Sequence, residues 1–149
     1  MTRRAAFLLA VGAVGLRAAD PVPASLEAVL GEPDLEKRSR AAVEFALSRI
    51  ETVLAHYVEG KPDEARAELE QMVTAAETCV EALMQTGKNP RKKAKPFKRA
   101  EIGTRRLITD LERLRKDLTF EERPDLDPII ARLEAINKDL LDAIMQKKR

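Results

Sequence analysis

Apolar residues recur every three or four positions in four long stretches of the chain, which is the period of an amphipathic α-helix. The first predicted helix begins near Pro33-Asp34 and ends at Gly60. Its apolar stripe contains Val43, Leu47, Ile50, Leu54 and Tyr57, and Ala46 and Val53 widen it. The second begins at Lys61-Pro62 and ends at Gly87, and its stripe contains Ala65, Leu69, Met72, Ala76, Cys79 and Leu83. Because only a few residues separate these two helices, we expect them to form an antiparallel hairpin.

The second half of the chain repeats this arrangement. We predict a third helix from about Lys98 to Leu118, with Ile102 and Ile108 beside a stripe of Leu107, Leu111, Leu114 and Leu118. A fourth helix starts between Pro124 and Pro128, and its stripe contains Leu126, Ile129, Leu133, Ile136, Leu140 and Ile144. Between the two helices, Thr119 and Glu122 have the spacing of a capping box.

Two hairpins with wide apolar stripes predict an all-α fold, specifically an antiparallel four-helix bundle. The expected organisation is an acidic helical hairpin over residues 34–87, a basic loop over 88–99 and a basic helical hairpin over 100–149. Together they form one domain over 34–149, which is long enough to bury its own core. The alternative is a pair of separate long hairpins that complete their core by forming a homodimer.

The start of the chain has the layout of a secretory signal peptide. A short basic segment precedes an uninterrupted apolar stretch over residues 5–16, which is too short to cross a bilayer as a helix of ~20 residues. We therefore expect a cleaved signal peptide over 1–19, with cleavage as late as residue 24. The exported protein would be periplasmic or extracellular and not an integral membrane protein. The competing interpretations are a buried helix of the domain and an uncleaved membrane anchor. A Pro-rich leader over 20–33 follows, with one short helix at Leu26–Leu30.

The composition excludes several kinds of chemical site. The 149 residues include one Cys, one His and no Trp. One Cys cannot form an intrachain disulfide or a cysteine metal cluster, and one His excludes the usual histidine-rich metal sites. The Glu-x-x-His pairs of di-iron bundles and the Cys-x-x-Cys-His motif of haem attachment are also missing. We therefore predict no catalytic, cofactor-binding or metal-binding residues and no cofactor, and we do not expect an enzyme.

Three single residues have an informative position in the predicted helices. We expect His56 to be a surface or boundary residue. Cys79 lies in the apolar stripe of the second helix, which predicts a buried thiol that behaves as a small hydrophobe, although a free Cys in an exported protein could also pair between chains. Asn137 is either at the bundle edge or inside, where a single amide would fix helix register by hydrogen bonding.

Charge is distributed unevenly along the chain. Residues 20–87 contain 14 acidic and 6 basic side chains, a net charge of −8, whereas residues 88–149 contain 18 basic and 11 acidic side chains, a net charge of +7. This polarity favours docking of one hairpin against the other. Removal of residues 1–19 would change the formal net charge from +2 to −1, so the global charge of the exported chain gives no argument for binding polyanions.

The positive charge is most concentrated in the predicted basic loop. That segment has seven cations and no acid, namely Lys88, Arg91, Lys92, Lys93, Lys95, Lys98 and Arg99, and Arg105 and Arg106 would extend the same patch. Exposed Lys and Arg attract phosphate or sulfate polymers and acidic lipid headgroups. Because Phe97 is the only aromatic residue among them, we do not expect nucleic acid as the partner.

The functional interpretation is therefore a non-enzymatic interaction or structural module with a protein or envelope partner. The alternative is a binder of anionic polymers or lipid surfaces of the envelope through residues 88–99.

Overall fold

The computed structural model describes residues 21–146, and all regular secondary structure in that range is helical. The helices are α1 (Leu26–Leu30), α2 (Leu35–Ser48), α3 (Ile50–Val58), α4 (Pro62–Gln85), α5 (Ala94–Asp117) and α6 (Asp127–Met145), with a 3-10 turn at Arg123–Asp125 before α6. The prediction of an all-α fold is confirmed. The predicted signal peptide lies outside the described residues. Within residues 21–146, no helix has both the length and the apolar character that a membrane span requires.

The helices pack around one apolar core, and α4 contacts each of the other five helices of the described chain. The predicted stripe of α4 is confirmed, because all six of its residues from Ala65 to Leu83 are buried. The leucine stripe of the third predicted helix is also buried from Leu107 to Leu118, with Leu118 directly after the end of α5. α5 packs against both α6 and α2, so the second half of the chain closes the core that the first half leaves open.

The first predicted helix is divided at Arg49 into α2 and α3. The hydroxyl of Ser48 donates a hydrogen bond of 2.6 Å to the carbonyl of Phe45, while the N–H of Arg49 bonds to the carbonyl of Ala46 at 3.2 Å, only three residues back. A serine hydroxyl that occupies a backbone carbonyl in this way interrupts the helical ladder. The guanidinium of Arg49 then donates to both carboxylate oxygens of Glu68 on α4, at 3.0 and 2.6 Å.

The buried side of α2 and α3 agrees with the predicted stripe only in part. The buried apolar residues are Ala42, Phe45, Ala46, Val53 and Tyr57. Tyr57 belongs to the predicted stripe, and Ala46 and Val53 are the two residues predicted to widen it, whereas Val43, Leu47, Ile50 and Leu54 are only partly buried beside the core. These four residues line grooves between α5 and the two helices α2 and α3. Because α2 and α3 pack against both α4 and α5, their apolar face is wider than a single stripe.

The predicted leader contributes to the core. Its short helix α1 is present, with the hydroxyl of Ser25 accepting a hydrogen bond of 3.1 Å from the N–H of Ala28 as an N-cap. Val29 is fully buried, and α1 contacts both α2 and α4. Burial of Val29 thus joins α1, the short helix predicted within the leader over 20–33, to the packed helices.

The turns use the residues that the sequence indicated. Gly60 follows α3 with a φ of 71°, a left-handed conformation that favours glycine. The carboxylate of Glu122 accepts hydrogen bonds from the backbone N–H and the hydroxyl of Thr119, at 3.0 and 2.7 Å. Glu122 thus reaches back to Thr119 as the capping-box spacing predicts, and the chain then turns through Arg123–Asp125 into α6.

Ion pairs join the two oppositely charged halves of the chain. Arg132 of α6 lies 2.8 Å from a carboxylate oxygen of Glu70 and 3.5 Å from one of Glu77, both on α4. Arg66 of α4 lies 3.6 Å from Asp125. Exposed pairs of this kind contribute about 0–1 kcal/mol each, so they align the halves while the apolar core supplies most of the stability.

Candidate anion-binding surface

The seven predicted cations lie at one end of the helical unit, in the α4–α5 connection and in the first turns of α5. We call these residues the basic surface: Lys88, Arg91, Lys92, Lys93, Lys95, Lys98 and Arg99. All seven are exposed. The predicted loop over 88–99 is correct only as far as Lys93, because residues 94–99 are helical.

α5 begins earlier than predicted because its first turns have an apolar side that the core buries. Phe97 is fully buried, and Ala100 is almost so. Pro96 is the third helical residue, where a missing N–H removes no hydrogen bond within the helix. With Phe97 anchored inward, Lys95 and Lys98 lie on the exposed side of the same turns.

The connection before α5 is held by hydrogen bonds centred on Asn89. The backbone carbonyl of Asn89 accepts from the N–H groups of Lys92 and Lys93 at 3.1 and 2.8 Å. Its side-chain oxygen accepts from the N–H of Arg91 at 2.9 Å, as asparagine does in tight turns. Lys88 is ion-paired with Glu36 of α2. The cations are therefore presented on an ordered backbone.

The positive charge of the basic surface is largely uncompensated. Among the described residues, Lys88 is its only member with a carboxylate within ion-pair distance. The first turn of α5 contains no acidic residue, so the positive end of the helix dipole adds to the positive charge of the side chains. Such an arrangement attracts phosphate, sulfate or carboxylate groups, above all where several are linked in one ligand.

The predicted extension of this patch is partly neutralised. Arg105 lies 3.3 Å from Glu101, one turn earlier on α5. Arg106 lies 3.9 Å from Asp110, one turn later. The two arginines are exposed but less available to a ligand than the cations from Arg91 to Arg99.

Burial settles the positions of the single Cys and the single His. Cys79 is a free, fully buried thiol, 3.1 Å from the hydroxyl of Ser39, and its burial raises its pKa to about 11. The prediction of a buried thiol is confirmed. The side chain of His56 is 24% exposed, with Nδ1 at 3.5 Å from a carboxylate oxygen of Glu64, which confirms the boundary position. In residues 21–146, no three His, Cys, Asp or Glu side chains gather as potential metal ligands.

Asn137 is partly buried and connects two helices. Its side-chain N–H donates a hydrogen bond of 2.9 Å to the backbone carbonyl of Glu101 on α5. Its partial burial fits the edge position, one of the two alternatives left open by the sequence, and its hydrogen bond connects α6 to α5 as the other alternative describes.

A groove between α2 and α5, next to the basic surface, is the feature that the sequence did not predict. It has a volume of about 430 Å³, and Arg40 of α2 lies on its edge together with Arg99 and Arg106 of α5. Arg99, Ile102 and Arg106 follow one another at intervals of three and four residues, which places them on one face of a helix. The sequence of α2 does not indicate that Arg40 lies beside this groove, because that position depends on which helix packs against α2.

Comparison of the chain with known protein families, with curated proteins and with solved structures finds no match. The functional interpretation therefore depends on the charge, exposure and contacts of these residues.

Proposed function

We propose that the protein is an exported, non-enzymatic interaction module that binds a polyanion or an anionic surface of the cell envelope through the basic surface. The observation that carries this proposal is a cluster of six exposed cations within residues 91–99. In the described part of the chain, none of the six has a carboxylate within ion-pair distance. Their charge is therefore directed to solvent and to whatever binds there.

The spacing of these cations favours a ligand with several negative charges. Lys95 and Arg99 are separated by ~6 Å along α5 at 1.5 Å per residue, and the other cations continue into the connection before it. A single exposed ion pair contributes little. A polymer or a lipid surface gains from each contact in turn, since every neutralised charge releases a counterion.

We also propose that the arm formed by α2 and α3 joins α4, α5 and α6 in an antiparallel four-helix bundle within a single chain. The three residues between α3 and α4 support a reversal of direction. Tyr57, near the end of α3, donates a hydrogen bond of 2.9 Å to Asp125, just before α6. That bond is consistent with both hairpin turns lying at the same end, opposite the basic surface.

The test is the binding of the purified protein to a heparin oligosaccharide and to vesicles of anionic phosphatidylglycerol, measured over a series of salt concentrations. We expect the affinity to fall steeply with salt, because counterion release dominates such binding. A triple variant neutralises three cations of the basic surface by the substitutions Lys92→Gln, Lys93→Gln and Lys95→Gln. It should bind at least about tenfold more weakly and show a shallower salt dependence.

The matched control removes three exposed cations from elsewhere on the helices. Its substitutions are Arg113→Gln, Lys116→Gln and Lys138→Gln. Both triple variants lose the same net charge, so a difference between them reports position and not global charge. Equal binding by the two variants, or full affinity of the first variant, would contradict the proposal.

A further inference from the structure

The groove between α2 and α5 combines an apolar floor with a charged edge. Its floor includes Val43 and Leu47 of α2, Leu83 of α4, and Ala100 and Ile102 of α5. Ile102 is 56% exposed, although it belongs to an otherwise charged face. An exposed branched side chain beside a volume of about 430 Å³ is typical of a ligand site, since such sites occupy about 300–1,000 Å³ and are mostly apolar.

The dimensions of the groove limit what it can hold. Along α2 the lining extends from Glu36 to Leu47, which is ~16 Å at 1.5 Å per residue. The volume of about 430 Å³ lies at the small end of the range for ligand sites, about 300–1,000 Å³. An elongated groove of this size with an apolar floor suits a single alkyl chain.

The charges around the groove favour a negative headgroup. Three arginines line it, Arg40, Arg99 and Arg106, against two acids, Glu36 and Glu44. Glu36 is already ion-paired with Lys88, and Arg106 lies 3.9 Å from Asp110. Arg40 and Arg99 have no carboxylate within ion-pair distance among the described residues, so the balance at the basic end of the groove is positive.

A second depression continues the groove towards the basic surface. It is lined by Ala94, Lys95, Lys98, Arg99 and Ile102, of which Arg99 and Ile102 also line the groove. A ligand that lies over Ile102 can therefore place its apolar part against Val43 and its polar end among the cations of the first turns of α5.

We propose that the groove binds the alkyl chain of an anionic single-chain amphiphile, with the headgroup held by Lys95, Lys98 and Arg99. For the headgroup this inference rests on the proposed function, because these cations belong to the basic surface. For the alkyl chain of the ligand, the inference rests on the groove alone. Most of the apolar contact comes from side chains that the fold already holds in place.

The test compares three probes by calorimetric titration below their micelle concentrations: dodecyl phosphate, inorganic phosphate and the neutral dodecyl maltoside. We expect dodecyl phosphate to bind about a hundredfold or more tightly than inorganic phosphate, because its chain leaves water, and more tightly than the maltoside, because its headgroup is charged. Equal binding of dodecyl phosphate and inorganic phosphate would overturn the inference.

Two matched variants test whether the alkyl chain of dodecyl phosphate binds in the groove. Ile102→Gln removes an exposed apolar side chain from the groove, and Leu141→Gln removes one from α6, outside the groove lining, where Leu141 is 40% exposed. We expect Ile102→Gln to weaken dodecyl phosphate about fivefold or more and Leu141→Gln to leave it unchanged. Because both positions are exposed, circular dichroism should show both variants folded, and equal affinities would refute the assignment.

The heparin titration separates this inference from the proposed function. Ile102→Gln should not change heparin binding, which depends on charge. If heparin binds and dodecyl phosphate binds no better than phosphate, the groove inference fails and the proposed function stands. If dodecyl phosphate binds in an Ile102-dependent way and neither heparin nor phosphatidylglycerol vesicles bind, the proposed function fails and the groove inference stands.

Discussion

Replacing Gly103 with alanine would place a methyl group in the contact between α5 and α2. A Cβ built at Gly103 lies 2.5 Å from Cγ1 of Val43, far inside the ~3.5–4.0 Å at which carbon atoms normally meet. Val43 cannot easily move away, because a β-branched side chain in a helix has one strongly preferred rotamer. The substitution must therefore move the helices apart or force Val43 into a poor rotamer.

Two opposing free-energy terms determine the effect of Gly103→Ala. Alanine in a helix interior is favoured over glycine by about 1 kcal/mol. Inserting a methyl group into a filled contact costs about 1–3 kcal/mol. We expect the second term to win, with a net loss of up to ~2 kcal/mol in the free energy of unfolding.

A double-mutant cycle by urea unfolding, followed by far-UV circular dichroism, measures the two terms separately. Val43→Ala removes the methyl groups that overlap, so in that background Gly103→Ala should stabilise the protein by about 1 kcal/mol. Gly31→Ala is the control, because a Cβ there meets no heavy atom closer than 3.5 Å outside its chain neighbours. If Gly103→Ala stabilised the protein equally in the wild-type chain and in the Val43→Ala background, the close approach of α2 and α5 would be refuted.

Buried and paired groups give three further predictions. Burial and the hydrogen bond to Asp125 raise the pKa of Tyr57. A titration followed by the absorbance of this only tyrosine should therefore have its midpoint well above the usual pKa of about 10. Asp125→Asn should lower the midpoint of that titration. Because the folded pKa is the higher one, the stability from Tyr57 is complete below the unfolded pKa and is lost as the pH rises through the folded pKa. The Cys79 thiol, with its pKa raised to about 11, should react with a thiol reagent at about pH 8 only after urea unfolds the protein; rapid reaction of the folded protein would contradict its burial. Arg49→Lys and Glu68→Gln should each lower the unfolding free energy by about 1 kcal/mol. The double variant should lose less unfolding free energy than the sum of the two single losses. Strictly additive losses would show that the pair contributes nothing.

The buried side of α4 was predictable from the sequence, although this helix contacts all five of the other described helices. α4 lies at the centre of the described helices, so a single period of three and four residues identifies its buried side from Ala65 to Leu83. In α2 the same pattern includes the buried Ala46 but also Val43 and Leu47, which are only partly buried because they line the groove beside α5. Periodicity alone cannot rank these two parts of a wide apolar face.

The break at Arg49 and the start of α5 depend on contacts that the pattern of apolar residues does not reveal. At the first position, the hydroxyl of Ser48 donates a hydrogen bond to the carbonyl of Phe45, which competes with the backbone hydrogen bond of the helix. The segment around Pro96 has the composition of a loop, and it becomes helical because the core accepts Phe97. Tertiary contacts therefore override local composition at both places. The cations of the basic surface were identifiable from the sequence, whereas the groove beside them required the pairing of α2 with α5.

The uneven charge of the chain has two separate consequences in the folded protein. Where α6 meets α4, Arg132 pairs with Glu70 and Glu77, so part of the attraction between the halves is satisfied internally. The cations from Arg91 to Arg99 are left outside this compensation, because none of them has a carboxylate within ion-pair distance among the described residues. Positive charges crowded in this way repel one another, and a bound polyanion would remove that repulsion as well as add contacts. Neutralising the cations from Arg91 to Arg99 therefore removes positive charge without removing an ion pair of the described residues.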